Sequence, residues 1–138
     1  MRIAMLTYSV KPRGGVVHAL EVAEALARRG HRVELFALAR ADEELFRDAA
    51  VPVKLVRHVP VDAPFDERIQ AMLEAYTEGL RPLLHDFDVI HSQDCLSANA
   101  ALALRDEGAI DHVAGEEIKA AAKEAEEASD KDSDKDSD

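Results

Sequence analysis

Two glycines, Gly14 and Gly15, follow a short basic segment near the start of the chain, and this combination suits an anion. Lys11 and Arg13 carry positive charge, and glycines let a ligand approach the backbone closely. If the glycines open a helix, its unpaired N–H groups and partial positive charge favour a phosphate. The alternative is a tight turn that needs glycine for its dihedral angles. The pattern is neither G-x-G-x-x-G nor a P-loop, so it specifies neither a dinucleotide nor ATP.

A second set of polar residues follows a short apolar run at residues 88–92. His91, Gln93 and Asp94 would emerge at the carboxyl end of a strand, where paired hydrogen bonds can hold sugar hydroxyls. Asp94 or Ser97 could instead cap the next helix. Capping and ligand contact are compatible, so both interpretations stay open for Asp94.

Other side chains near these positions offer weaker signals. His18, one turn into the first predicted helix, could bind the ligand or be a half-buried packing residue. Tyr8 and Ser9, at the end of the preceding strand, could line the same cleft. The single Cys95, interpreted as a packing residue rather than a reactive thiol, excludes an internal disulfide and a cysteine cluster. The other histidines lack ligand spacing, so we predict no metal site and no cofactor.

Charge and hydropathy limit the class of partner. A net charge of −11 argues against nonspecific binding to nucleic acid. No apolar run approaches the roughly 18 residues that a membrane helix needs, and no small-residue cleavage site follows the first apolar run. We therefore expect a cytoplasmic protein without a membrane span. Its 138 residues fit one domain.

Alternating strands and helices must position these side chains. Strands are predicted at 2–8, 32–39, 53–58 and 88–92, and helices at 16–29, 42–48, 65–85 and 96–107. Apolar strands interleaved with helices are typical of an α/β fold with a parallel sheet covered on both faces. We predict a partial Rossmann-like, doubly wound sheet in the order 3-2-1-4 with flanking helices. The first strand then lies where the strand order switches, and ligands bind at carboxyl strand ends there.

Individual residues define the expected helix ends. Asp42 is expected to cap the short second helix. Pro82 is expected to kink the last turn of the long third helix. Gly30 and Gly108 should each end the helix that precedes them.

The pattern changes near residue 110, so we divide the chain into three parts. Residues 1–110 form the predicted half-domain, and 111–128 form a helical extension that contains EEIKAAAKEAEEA. Residues 129–138, SDKDSDKDSD, lack apolar side chains and are predicted to be a disordered acidic tail. From residue 116 onward the chain holds ten acidic and four basic residues and no arginine. This composition favours an engineered or replaced tail over a shifted reading frame or a natural acidic tail.

A resemblance to a known family rests on two segments, MRIAMLTYSVKPRGGVVHALEVAEALARRGHRVELFAL and DFDVIHSQDCLSANAAL. Together they resemble the retaining GT-B glycosyltransferases of the glycosyltransferase 4 group, closest to an actinomycete-type branch. The resemblance implies two Rossmann-like domains facing a cleft, the first binding mainly the acceptor and the second the nucleotide-sugar donor. It implies that Gly14 and Gly15 approach the donor diphosphate or the transferred sugar. Asp94 matches an acidic position that can contact the sugar, and His91 matches the neighbouring histidine.

Two departures from the family limit the expected activity. The histidine-bearing strand after the fifth position is missing, and so is the C-terminal domain with its paired-glutamate donor motif. Groups that stabilise the phosphate and orient the sugar are then lacking. We therefore expect a truncated fragment that is inactive alone and assign it no catalytic residue. The alternative is a non-enzymatic designed or fused α/β scaffold or interaction module. A partial sheet also leaves an edge uncovered, which either the helix predicted at 116–128 or association into a homodimer would cover.

Overall fold

A computed structural model describes residues 1–111 and Val113. The rest of the predicted helical extension at 111–128 and the predicted tail at 129–138 lie outside the described residues. The described part contains four strands and three helices. In chain order they are β1 Arg2–Thr7, α1 Gly14–Arg28, β2 Arg32–Arg40, β3 Val53–His58, α2 Phe65–Leu80, β4 Val89–Ser92 and α3 Cys95–Asp106.

The four strands form one parallel sheet in the order β3-β2-β1-β4. This confirms the predicted α/β class and strand order. β1 pairs with β2 on one side and with β4 on the other, so the order switches at β1. Thr7 at its carboxyl end lies opposite Ala37, and Leu6 lies opposite Ser92. The segments after β1 and β4 therefore emerge together at one edge of the sheet.

Helices cover both faces of the sheet. Alternate residues of a strand face opposite sides, and those of β1 separate accordingly: Ile3 and Met5 pack with α1, whereas Ala4 and Leu6 pack with α2 and α3. Tyr76 of α2 is fully buried, and its hydroxyl lies 2.8 Å from the carbonyl oxygen of Phe36. The hydroxyl thus connects α2 to the middle of the sheet.

The helix predicted at 42–48 is wrong. Backbone carbonyl oxygens in and just before this segment accept hydrogen bonds from a side chain of β3 instead. The Arg57 guanidinium donates to the carbonyl oxygens of Arg40, Ala41 and Glu43. A helix starting at Asp42 would use one of these acceptors, the Glu43 carbonyl, for the N–H of Arg47. Residues 41–50 form turns and irregular backbone instead.

Two other helix boundaries differ from the predicted ones by two or more residues. α2 ends at Leu80 and is followed by turns, so Pro82 ends the helix rather than kinking it. Proline has no N–H to donate, so a helix that continued past Leu80 would lose a backbone hydrogen bond at Pro82. α1 begins at Gly14, two residues earlier than predicted. Gly30 and Gly108 end their helices as predicted, with φ of 94° and 81°, in the left-handed region that favours glycine.

Candidate functional site

The N-terminus of α1 carries both glycines in its first turn. A Cβ atom added at Gly14 or Gly15 would meet no atom within 4 Å. Neither has a positive φ, which only Gly30 and Gly108 show among the described residues. The proposed explanation that a tight turn requires glycine here is therefore wrong. The N-cap residue, Arg13, makes no side-chain capping bond, so this turn is uncapped and open.

Lys11 and Arg13 lie in the loop that connects the end of β1 to that turn. Arg13 Nη1 lies 3.4 Å from the Tyr8 hydroxyl, and its guanidinium carbon lies 5.8 Å from the centre of the Tyr8 ring. This cation–π contact orients the Arg13 side chain. Ser9 Oγ accepts a hydrogen bond from the Lys11 N–H at 3.2 Å. Tyr8 and Ser9 line one cavity with Lys11 and Arg13, although neither glycine is among the described residues that line it.

His91 and His18 come together on the α1 face of the sheet. His91 is half-buried, and burial and the neighbouring His18 lower its pKa. Gln93 Nε2 lies 2.8 Å from His91 Nε2, so a neutral His91 accepts a hydrogen bond from the amide. His18 is exposed, which contradicts the half-buried packing alternative. The His91 imidazole and the Gln93 amide thus form a hydrogen-bonded pair, and His18 lies near enough to influence the charge of His91.

Asp94 is the N-cap of α3 and also bonds to β1. Its Oδ1 accepts from the Ser97 N–H at 2.8 Å, and its Oδ2 accepts from the Tyr8 N–H at 3.1 Å. Burial raises the pKa of Asp94, although these N–H groups act in the opposite direction. The predicted capping role is confirmed, and the carboxylate holds the end of β1 against the start of α3. The adjacent Cys95 is an exposed free cysteine, so its predicted packing role is wrong.

A cavity of about 400 Å³ opens on the α2 face of the same sheet edge. We call it the basic groove. It lies between loop 8–13, the ends of β2 and β3, loop 59–61 and the first half of α2. Its charged lining comprises four cationic side chains and one carboxylate: Lys11, Arg13, Arg40, Arg68 and Glu43.

The basic groove contains residues that sequence reasoning missed. The apolar stripe of α2 is buried at Tyr76 and Leu80, whereas Phe65 is 68% and Ile69 37% exposed. A stripe that extends beyond the sheet it covers is a signal for an open apolar surface. Arg40 has no such signal, because β2 reads as a buried strand up to its last residue.

The described helices do not include one long and apolar enough to cross a membrane. Within residues 1–111 and 113, no three or more His, Cys, Asp or Glu side chains are grouped to hold a metal ion.

Comparisons with known proteins agree with this architecture. The sequence matches the model of the family described as Glycosyltransferase Family 4 over residues 12–116. The fold is similar to sucrose-phosphate synthase from Thermosynechococcus elongatus, with a TM-score of 0.59 and 17% identity over 77% of this chain and 30% of that one. It is also similar to Anabaena HepE, solved in complex with UDP and glucose, with a TM-score of 0.45 and 19% identity over 76% of this chain and 28% of that one.

Comparison with curated proteins gives no match. The chain spans less than a third of the length of the two solved structures. At these identities the likeness to sucrose-phosphate synthase bears on the fold alone.

Proposed function

This chain belongs to glycosyltransferase family 4, and on that premise we propose that residues 1–110 are the N-terminal half-domain of a retaining glycosyltransferase. The enzyme moves a sugar from a nucleotide-sugar donor to an acceptor. The observation that supports this most directly is the open, uncapped first turn of α1 at Gly14 and Gly15. It lies at the switch in strand order, where α/β proteins bind ligands.

The proposed roles follow the two sides of β1. The first-turn N–H groups at Gly14 and Gly15 approach the donor diphosphate or the transferred sugar. Lys11 and Arg13 add positive charge for the phosphate. On the α1 face, His18 and His91 contact the sugar. Asp94 contacts the sugar as well as holding the backbone, since each carboxylate oxygen has a second lone pair.

We further propose that this chain alone does not transfer sugar, because the family's donor-binding groups are not among its residues. Electrostatic stabilisation of the leaving phosphate and orientation of the sugar supply most of the rate enhancement in such reactions. The half-domain retains weak binding without turnover. We propose a cytoplasmic location and association of two copies through a sheet edge, the latter testable by sedimentation.

A titration with nucleotide sugars tests the proposed site. The ¹⁵N-labelled 138-residue chain is titrated with UDP-glucose, GDP-mannose and pyrophosphate, and amide shifts are recorded. We expect saturable shifts at Gly14, Gly15 and His18. Gly15→Leu should abolish them with the rest of the spectrum intact, because the added side chain fills open space. Lys11→Ala and Arg13→Ala should weaken binding.

A matched control lies at the opposite end of the same helix. Arg28→Ala and Arg29→Ala remove the same charge from exposed positions at the C-terminus of α1 and should leave binding unchanged. A folded spectrum that does not respond to any of these ligands would favour the non-enzymatic scaffold. Turnover of a nucleotide sugar by the chain alone would contradict the proposed inactivity.

A further inference from the structure

The basic groove differs in charge from the rest of the chain. The whole chain carries −11, yet the groove has four cationic side chains and a single carboxylate, Glu43. Glu43 Oε1 accepts a hydrogen bond from the Arg40 N–H at 2.8 Å, which holds this carboxylate at the backbone. The groove is therefore a positively charged concavity in an acidic protein, and low-dielectric walls focus such a potential.

The cations of the groove have no carboxylate partner among the described residues. Within the part of the chain that the structure describes, no carboxylate lies within ion-pair distance of Lys11, Arg40 or Arg68. Elsewhere, Arg47 and Arg57 each pair with a glutamate. An anionic ligand in the groove could therefore form the ion pairs that these cations do not make with the described carboxylates.

The positive charge of the groove affects a histidine in its wall. His58 is half-buried at its wall, and burial together with the positive charge of Arg40 lowers the pKa of His58. The imidazole is therefore neutral at pH 7, and it adds a hydrogen-bonding group to the wall without adding charge.

The opposite wall of the groove is apolar and open. Phe65 and Ile69, on the first two turns of α2, are 68% and 37% exposed, and Val59 in the preceding loop is 82% exposed. The Arg68 guanidinium carbon lies 5.8 Å from the centre of the Phe65 ring. A cation and an apolar surface thus lie side by side, and exposed apolar patches of this kind mark binding sites.

We infer that the basic groove binds a small amphiphilic anion, which has a phosphate or carboxylate group next to an apolar portion. This inference rests on the proposed function and names the acceptor class: the anionic group pairs with Arg40 and Arg68, and the apolar portion covers Phe65 and Ile69. A volume of about 400 Å³ lies within the range of small-molecule sites. The concave shape fits a small molecule better than a flat membrane surface.

Three probes separate the two halves of this ligand chemistry. Octyl phosphate carries both, octyl glucoside carries the same tail with a neutral head, and inorganic phosphate carries the anion alone. The ¹⁵N-labelled 138-residue chain is titrated with each probe below its critical micelle concentration. We expect octyl phosphate to bind at least about tenfold more tightly than inorganic phosphate, because a methylene that becomes buried contributes up to about fourfold in affinity. It should bind roughly three- to tenfold more tightly than octyl glucoside, because the neutral head lacks the charge that pairs with Arg40 and Arg68. The shifts should centre on Val59, Phe65 and Ile69.

Variants locate the binding. The double variant Arg40→Ala, Arg68→Ala should lower affinity for octyl phosphate by roughly three- to tenfold, as for exposed charge pairs. The double variant Arg29→Ala, Arg32→Ala removes the same charge from exposed positions at the other edge of the sheet and should have no effect. Phe65→Ser should weaken binding and Phe65→Leu should retain it.

Several outcomes would overturn the inference. Equal affinity for octyl glucoside, equal affinity for inorganic phosphate, or no binding of octyl phosphate would each do so. Binding only to phosphatidylglycerol vesicles would assign the groove to a membrane. A dimer in sedimentation that Ile69→Glu dissociates would assign it to a second copy of the chain. The proposed function fails separately: Gly15→Leu affects only nucleotide-sugar binding, and the Arg40, Arg68 double variant affects only octyl phosphate.

Discussion

Replacing Asp94 with alanine should destabilise the chain through two separate backbone bonds. Asp94 Oδ1 caps α3 through the Ser97 N–H, and Oδ2 accepts from the Tyr8 N–H. Loss of a cap costs about 1 kcal/mol, and a partly buried N–H left without an acceptor costs about 1–3 kcal/mol. We expect a loss of about 2–4 kcal/mol, a large fraction of a typical domain's stability.

Urea denaturation of the 138-residue chain measures this loss in the free energy of unfolding. A second variant separates its two contributions, and a control removes a similar bond in an exposed position. Asp94→Ser retains the cap but is too short to reach Tyr8, so it should lose about 1–3 kcal/mol. Asp88 supplies the matched control, because its Oδ2 accepts from the Arg2 N–H at 2.8 Å at the other end of β1, in an exposed position. Water can replace that bond, so Asp88→Ala should cost less than about 1 kcal/mol.

The pH dependence of the same measurement has a definite sign. Burial raises the pKa of Asp94 above its ordinary value, so the folded state binds the proton more tightly than the unfolded state. The resulting stability is fully present below the unfolded pKa and is lost as the pH rises through the folded pKa. The difference in free energy of unfolding between the unmodified chain and Asp94→Ala should therefore increase from pH 7 to pH 4. A difference that decreases in acid would refute this reasoning, because the N–H bonds would then outweigh burial.

Three further substitutions test the packing and ion pairing in the same urea assay. A Cβ at Gly79 would overlap the Val56 side chain, so Gly79→Ala should cost about 1 kcal/mol after its gain in helix propensity, and adding Val56→Ala should relieve the overlap. The Thr7 hydroxyl is buried and has no hydrogen-bond partner among the described residues, so Thr7→Val should stabilise the fold by about 1 kcal/mol. A loss of stability would show that the hydroxyl is bonded. Hydrogen bonds from Arg47 lower the pKa of Glu24 to about 2, so Glu24→Gln should cost on the order of 1 kcal/mol at pH 7. The difference in free energy of unfolding between the unmodified chain and this variant should close between about pH 4.5 and pH 2. A difference unchanged at pH 2 would contradict that cause.

The order of the sheet could be predicted from the sequence because short strand-forming runs, each bounded by turn formers, recur between helical segments. Residues 53–58 illustrate this, since turn formers bound the run and its limits match β3. Propensity failed where a distant side chain competed for the backbone. Arg57 bonds to the carbonyl oxygens of Arg40, Ala41 and Glu43, and a helix from Asp42 would use the last of these. No local pattern near Asp42 indicates this contact from β3.

The candidate site was predictable to a similar extent. Gly14, His91 and Asp94 follow strands or open helices, so the parallel order alone brings them to one edge. Arg40 and Arg68 belong to different elements, and their place in one groove depends on how α2 packs against β2. That packing is set by tertiary contacts such as Tyr76 with the Phe36 carbonyl, which periodicity does not encode.

The loop after β1 connects the two proposed binding surfaces, and this connection predicts how they interact. Arg13 lines the basic groove, whereas Gly14, the next residue, begins α1, and consecutive Cα atoms are only about 3.8 Å apart. An anion in the groove and a diphosphate at α1 would therefore repel each other unless Arg13 lies between them. Removing the Arg13 charge should weaken the binding of both ligands and make their binding mutually exclusive. Removing the charge of Arg68, which lies on α2, should weaken the binding of the amphiphile alone. A titration of each ligand in the presence of the other would distinguish a shared cation from two independent sites.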